Sequence, residues 1–228
     1  MKARGRKGRR PKIWMRPLPA FQDLRGAIGY AAESGGTIHI ALGGGGLTGE
    51  NAVTSLAGLE AVEALADTAI LYNAPPIITV GDPTLLPLAQ DILRRAYERH
   101  DLAKRYDPDH VRFVAPSPVA YAAAAADVVA TEEVTANVMI GAFGPEVSLI
   151  ADAGARRDLS QFAAAAAPDA IGALYPAIGR LAVGEELYAG GAQITGKRHY
   201  RISLQAQDWI RLFVVLVIVI RAIVELLR

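Results

Sequence analysis

The stretch TIHIALGGGGLTGENAVTSLAGLEAVEALA, from Thr37 to Ala66, decides the fold. It opens with an apolar run, Ile38 to Leu42, and continues through four glycines, Gly43 to Gly46. It ends in a run whose apolar residues recur at helical spacing. A strand, a glycine turn and a helix in this order form the first unit of a parallel α/β sheet.

The same strand-then-helix unit recurs along the chain at intervals of about 25 to 35 residues. Six strands are predicted, at 38–42, 77–80, 111–115, 137–141, 161–167 and 180–183. A helix over 20–34 precedes them, and the helix after the sixth strand begins at 184. We therefore predict an α/β domain over residues 20–200, built on a doubly wound, mostly parallel, Rossmann-like sheet.

Residues 205–228 are predicted to form a C-terminal transmembrane helix. Twenty residues from Trp209 onward would span about 30 Å as a helix, the thickness of the hydrocarbon core. Trp209 and Arg211 suit one membrane interface, while Arg221 and Glu225 oppose insertion. Because Glu225 is poorly oriented to pair with Arg221, we expect a copy of the chain or another membrane subunit to supply a carboxylate. The alternative is an apolar core helix of a soluble oligomer.

Residues 1–19 form a basic N-terminal arm, with eight Lys or Arg among the first sixteen residues and no acid. The formal net charge is only +1, so acidic residues exceed basic ones in the remainder. An arm of this kind favours anionic lipid over nucleic acid as its partner, and a solvated tail is the alternative. Basic residues at Lys197, Arg198 and Arg201 predict that the α/β domain lies on the cytoplasmic side of the cell inner membrane.

Candidate ligand-binding residues follow the predicted strands, because open parallel sheets bind ligands beyond the carboxyl ends of their strands. They are Gly44, Gly46, Thr48, Gly49, Asp82, Ser117, Glu146, Asp169 and Glu185. Three of the glycines have the spacing of the dinucleotide-binding fingerprint, and they lie between a strand and a helix as it requires. Glycines there would let a phosphate approach the amides at the start of the helix.

Two observations weaken the nucleotide interpretation. Four consecutive glycines satisfy a glycine pattern easily, and the acidic residue expected about 20 positions later is missing; Asp82 lies 33 positions after Gly49. No Lys follows Gly49, which excludes a P-loop. The carboxylates have a structural explanation as well, because acids at helix N-termini satisfy free amides. A purely structural turn is therefore the alternative.

Catalytic groups are scarce. The chain contains no cysteine, which excludes disulfides, thiol catalysis and thiolate metal sites. The four histidines are dispersed, and neither a Ser-His-Asp order nor an HExxH motif is present. His39, inside the first strand, is expected to be packed or hydrogen-bonded. No metal site is predicted, and the sequence names no cofactor.

Four long phrases resemble a known family: GAIGYAAESGGTIHIALG (26–43), PPIITVGDPTLLPLAQDILRRAYERH (75–100), VRFVAPSPVAYAAAAADVV (111–129) and VGEELYAGGA (183–192). The family is bacterial and membrane-associated, and its domain has no assigned function. The resemblance implies an α/β domain joined to membrane helices. It supplies no catalytic residues.

Two functional hypotheses follow. The first is a membrane-anchored Rossmann-like module that acts as a structural or assembly subunit of a homo-oligomer or a larger membrane complex, without enzymatic activity. The alternative is an enzyme or sensor that binds a nucleotide or small metabolite at the loop from Gly43 to Gly49.

Overall fold

The structure, a computed structural model, describes Leu18, Phe21, residues 23–195 and residues 213–221. The strands are β1 (Thr37–Gly43), β2 (Ile77–Val80), β3 (Val111–Phe113), β4 (Val134–Ala142), β5 (Ser160–Ala165) and β6 (Leu181–Val183). The α-helices between 23 and 195 are α1 (Leu24–Ser34), α2 (Ala52–Leu71), α3 (Leu86–Arg99), α4 (Pro118–Thr131), α5 (Val147–Arg156), α6 (Pro168–Leu174) and α7 (Gly190–Thr195). Short 3-10 helices occupy Ala103–Arg105, Pro108–His110 and Gly184–Ala189, and residues 213–221 are helical.

The six strands form one sheet in the order β3-β2-β1-β4-β5-β6, with every neighbouring pair parallel. The chain winds outward from β1 to β3, returns to the middle at β4 and winds outward again to β6. This is the strand order of a doubly wound, Rossmann-like sheet, whose topological switch point lies between β1 and β4. The predicted α/β class is confirmed.

Helices cover both faces of the sheet. Since successive strand residues point to opposite sides, each strand packs against helices on both faces. On one face Ile38, Ile40 and Leu42 lie in a buried cluster with residues of α1, α2 and α3. On the other face Ala41 lies in a second buried cluster with residues of α4, α5 and α6. Since both faces are covered, the strands can be apolar at nearly every position, and this made them visible in the sequence.

All six predicted strands are present, and their ends differ from the prediction by at most three residues. The largest difference is at β4, which begins at Val134 because Val134 already pairs with Thr37 across a register shift. The helix predicted from residue 184 begins instead as the 3-10 turn Gly184–Ala189 and becomes α-helical only in α7.

Most of the predicted membrane helix at 205–228 lies outside the described residues. Residues 213–221 of it are helical. No helix within the described part of the chain is both long enough and apolar enough to cross a membrane. Arg221 is described, whereas Trp209, Arg211 and Glu225 are not. The basic arm is also outside the description apart from Leu18, which is buried in the core beside α1.

Candidate functional site at the carboxyl edge of the sheet

The switch point between β1 and β4 is closed at its base by main chain. The two strands stay hydrogen-bonded to their ends, where the amide of Gly44 donates to the carbonyl of Ala142 at 3.0 Å. A side chain added to Gly43 would overlap that carbonyl, and one added to Gly141 would overlap the carbonyl of Leu42. These two glycines are therefore required by strand packing, and any crevice for a ligand begins beyond them.

The glycines that follow β1 differ in what surrounds them. A Cβ added to Gly45 would lie 2.5 Å from the Cβ of Ala142, and one added to Gly46 would lie 2.5 Å from a carboxylate oxygen of Asp82. Apart from its chain neighbours, no described residue has an atom within 4 Å of a Cβ added to Gly44. The turn is thus packed against the protein on one side and open beside Gly44.

The turn is longer than that of a dinucleotide fingerprint. In the fingerprint the third glycine lets the helix pack closely on the strand. Here Gly49 lies before α2, which begins at Ala52, and it takes a left-handed φ of 78°. The close helix–strand contact is made instead at Gly58, where a Cβ would lie 2.9 Å from the carbonyl oxygen of Ile140. Thr48 is exposed at the tip of the turn.

Asp82 follows β2 directly and lies beside the glycine turn. One of its oxygens accepts hydrogen bonds from the amide of Thr84, at 2.8 Å, and from the Thr84 hydroxyl. The same hydroxyl accepts a bond of 3.1 Å from the amide of Leu47, which ties the turn to the end of β2. The spacing of 33 residues from Gly49 arises because α2 alone contains 20 residues. Asp82 therefore lies just beyond the end of the second strand, which is where the fingerprint places its acidic residue.

The remaining candidates are spread along the whole edge. Glu146 accepts a bond of 2.8 Å from the amide of Gly144 after β4, and Ser117 precedes α4 without a capping hydrogen bond from its side chain. Asp169 lies in the first turn of α6, and Glu185 lies in the 3-10 turn after β6. Because β3 and β6 are opposite edges of the sheet, about five strand spacings, or about 24 Å, separate Ser117 from Glu185. The nine residues do not form one constellation; Gly46 and Asp82 are the pair that the structure brings into contact.

A chain of buried polar side chains runs across the sheet below the switch point. On β1, His39 Nδ1 lies 2.9 Å from Asn137 Oδ1, and its Nε2 lies 3.0 Å from the Thr79 hydroxyl. Asn137 Nδ2 donates to Gln161 Oε1 at 3.1 Å. The hydroxyl of Tyr121 lies 3.1 Å from that of Thr79 and accepts a 3.1 Å bond from the amide of Gly43, at the base of the glycine turn.

The donor and the acceptor of each hydrogen bond in this network can be assigned from its neighbours. Asn137 donates through its amide nitrogen, so its oxygen accepts from Nδ1 of His39. Burial lowers the pKa of His39 to about 4, which leaves Nε2 unprotonated and able to accept from Thr79. Burial likewise raises the pKa of Tyr121 to about 12. His39, Thr79, Asn137 and Tyr121 are all at most 1% exposed, and their polar side-chain atoms are hydrogen-bonded within the protein, so we assign the network to the stability of the fold.

The profile of a protein family, described as Domain of unknown function (DUF6754), matches residues 2–228. The chain belongs to this family. No curated protein and no solved structure gives a significant match to the chain. The predicted resemblance to a family without an assigned function is thereby confirmed, and the family description carries no statement about origin or membrane association.

Three cavities in the described part of this DUF6754 domain lie away from the candidate residues. One of about 480 Å³ is lined by Glu98 and residues 101–105, after α3. A second, of about 400 Å³, is an alanine-rich groove between α4 and α5. Another, of about 390 Å³, is at the amino-terminal edge of the sheet, beside Thr37 and Ile77. Among the described residues no group of three or more His, Asp or Glu is placed to hold a metal ion.

Sequence reasoning anticipated that His39 is hydrogen-bonded, but it missed the network around it. A signal was present in the polar side chains that interrupt otherwise apolar strands. His39, Asn137 and Gln161 are register partners on β1, β4 and β5, so they lie in one row. That row becomes visible only when the strand order is known.

Proposed function

We propose that the chain is a membrane-anchored Rossmann-like module that acts as a structural or assembly subunit. The observation that carries the proposal is the helical segment at 213–221. It has eight consecutive large apolar side chains, Phe213 to Ile220, and each is between 47% and 66% exposed. A helix that is apolar on every side requires an apolar environment, which only lipid or other apolar helices provide.

The residues around this segment support a bilayer as that environment. The apolar run extends in sequence from Trp209 to Leu227, and basic residues precede it at Lys197, Arg198 and Arg201. By the positive-inside tendency, the α/β domain lies on the cytoplasmic side of the inner membrane. The basic arm at 1–19 adds attraction to anionic lipid headgroups, at most about 1 kcal/mol for each Lys or Arg near the surface.

The charge of Arg221 in the apolar segment is the reason to propose assembly. An arginine within a membrane helix needs a carboxylate or a water-filled cavity, because burying its charge costs up to about 3 kcal/mol. Glu225 follows Arg221 by four residues in the sequence, but the order Arg-then-Glu is the weaker one for such a pair. A second copy of the chain, or another membrane subunit, offers a better-placed carboxylate. The proposed state is a homo-oligomer or a larger membrane complex.

The membrane part of the proposal is tested with two matched charge substitutions in the full-length protein. Val217→Asp places a carboxylate in the apolar helix, whereas Val53→Asp places one at an exposed valine of α2. We expect Val217→Asp to shift the protein from carbonate-washed membranes to the supernatant, by about 100-fold for a cost of about 2.5 to 3.5 kcal/mol. Val53→Asp should remain membrane-bound. A native protein that stays soluble without detergent, or two variants that partition alike, would refute the anchor.

The assembly part is tested separately at Arg221. In mild detergent, light scattering coupled to gel filtration should give the native protein as a homo-oligomer or a larger complex. The Arg221→Leu variant should give a different mass, because the charge pairing that selects its partner is gone. A native monomer, or an unchanged assembly in the variant, would contradict the role of Arg221.

A further inference from the structure

A buried hydroxyl in the first turns of α2 has no hydrogen-bond partner among the described residues. Ser55 is 0% exposed, and its Oγ makes no hydrogen bond within the described chain. Helical side chains tilt toward the helix N-terminus, and the hydroxyl is accordingly directed at the glycine turn. A Cβ placed on Gly45 would lie 2.7 Å from it. A buried polar atom without a partner is rare in native proteins and requires a specific explanation.

The start of α2 lies next to this hydroxyl; the amides of Ala52 and Ser55 there donate to the carbonyls of Gly49 and Asn51, which leaves the amides of Val53 and Thr54 for a ligand. The amides in the first turn of a helix have no acceptor within the helix itself, and the side chain of the N-cap residue Asn51 makes no capping bond to them. With 20 residues, α2 also has a full macrodipole, whose positive end is at this point. Amides and dipole together favour an anionic oxygen of a ligand, as they do at phosphate-binding helices.

The open side of the turn gives such a ligand access. Nothing lies within 4 Å of a Cβ placed on Gly44, and its φ is not left-handed. Neither packing nor backbone conformation therefore requires a glycine at this position. The absence of a side chain leaves the main chain of the turn approachable at the switch point, where doubly wound sheets bind their ligands.

The charges around the turn restrict the type of ligand. No Lys or Arg occurs between Gly43 and Ser55, while the Asp82 carboxylate lies beside Gly46. A free phosphate ion would meet this carboxylate without a compensating cation. A carboxylate at the end of the second strand is suited to accept hydrogen bonds from ribose hydroxyls. One oxygen of Asp82 is held by Thr84, which fixes the orientation of the other.

We propose that this edge binds a nucleotide, with Ser55 donating to a phosphate oxygen and Asp82 accepting from a ribose hydroxyl. The first turn of α2 holds the phosphate through its amides. This site is separate from the proposed membrane anchor, and neither depends on the other.

Isothermal titration calorimetry of the full-length protein in mild detergent tests the site. The probes are ADP, GDP and NAD⁺, and inorganic phosphate tests the phosphate-binding part alone. We expect at least one nucleotide to bind with a Kd below about 1 mM, and inorganic phosphate to bind at least about tenfold more weakly. Ser55→Ala and Asp82→Asn should each weaken nucleotide binding by about tenfold or more. Asp82→Asn should not weaken the binding of inorganic phosphate.

A matched pair of glycine variants separates the site from the fold. Gly44→Val places a side chain in the open space beside the turn, where its Cβ meets no described residue other than its chain neighbours, and it should abolish nucleotide binding while the melting curve is retained. Gly172→Val is the control, because Gly172 in α6 also has no atom within 4 Å of an added Cβ. Gly46 is unsuited to this test, since its side chain would collide with Asp82. If no probe binds, or if Gly44→Val or Ser55→Ala binds like the native protein, the proposal is overturned.

Discussion

Acidification should destabilise the fold through His39. Its pKa is about 4 in the folded protein, against 6.5 for a histidine in an unfolded chain, because burial disfavours the imidazolium. As the pH falls below 6.5, the unfolded chain binds a proton that the folded chain refuses, so the free energy of unfolding decreases. The contribution is intact above this pH, and it is lost progressively until the pH reaches about 4.

The size of the effect follows from the two pKa values. The difference between about 4 and 6.5 corresponds to about 3 kcal/mol in full. Linkage distributes this loss over the pH range: about 1 kcal/mol is lost by about pH 5.5 and more than about 2 kcal/mol by about pH 4.5. A loss of this size is a large share of the stability of a typical domain, which is about 5 to 15 kcal/mol.

The assay is urea unfolding of the full-length protein at a series of pH values, compared with His39→Gln. Glutamine keeps one donor and one acceptor for Asn137 and Thr79, but it does not titrate. Subtracting the two pH profiles removes the contributions of the carboxylates and of the other histidines, which both proteins share. Parallel profiles from about pH 7 to pH 4.5 would refute the reasoning, as would an NMR titration of the His39 ring with a midpoint near its ordinary pKa.

Three further substitutions test the packing around the glycine turn by chemical denaturation. Tyr121→Phe should cost about 1 to 3 kcal/mol, because the buried amide of Gly43 loses its acceptor; no measurable loss would contradict the network. Gly141→Ala should cost more than about 3 kcal/mol, since the new methyl group overlaps the carbonyl of Leu42; near-native stability would mean that β1 and β4 are not so closely paired. Ser55→Ala should raise the stability of the ligand-free protein by about 1 kcal/mol by removing an unpaired hydroxyl, and a clear loss would show that the hydroxyl has a partner within the protein.

The sheet was predictable because burial on both faces makes parallel strands read as short apolar runs. The start of β4 was not, because Glu132 and Glu133 precede it and the pairing of Val134 with Thr37 is a long-range contact. The same limit applies to strand neighbours in general. Local patterns indicate where a strand lies, but the winding of the whole chain decides which strands pair.

The candidate site shows where spacing rules fail. An acid about 20 residues after the glycines presumes a helix of ordinary length between the first two strands. The 20 residues of α2 lengthen that interval, so the distance between Asp82 and Gly49 counts against the fingerprint although Asp82 lies beside Gly46. The orphaned hydroxyl of Ser55 could not be inferred at all, because a missing hydrogen bond is a property of the folded surroundings.

The buried network and the glycine turn act on each other through Gly43. The network ends on the Gly43 amide through Tyr121, and the carbonyl of Gly43 accepts a bond of 2.9 Å from the amide of Gly81. The far side of the turn is held by the bond from Leu47 to Thr84. A turn fixed at both ends keeps its amides in one arrangement, so a ligand that fits it loses little free energy to ordering the site. The buried polar network thus contributes by holding the glycine turn in place at the carboxyl edge of the sheet.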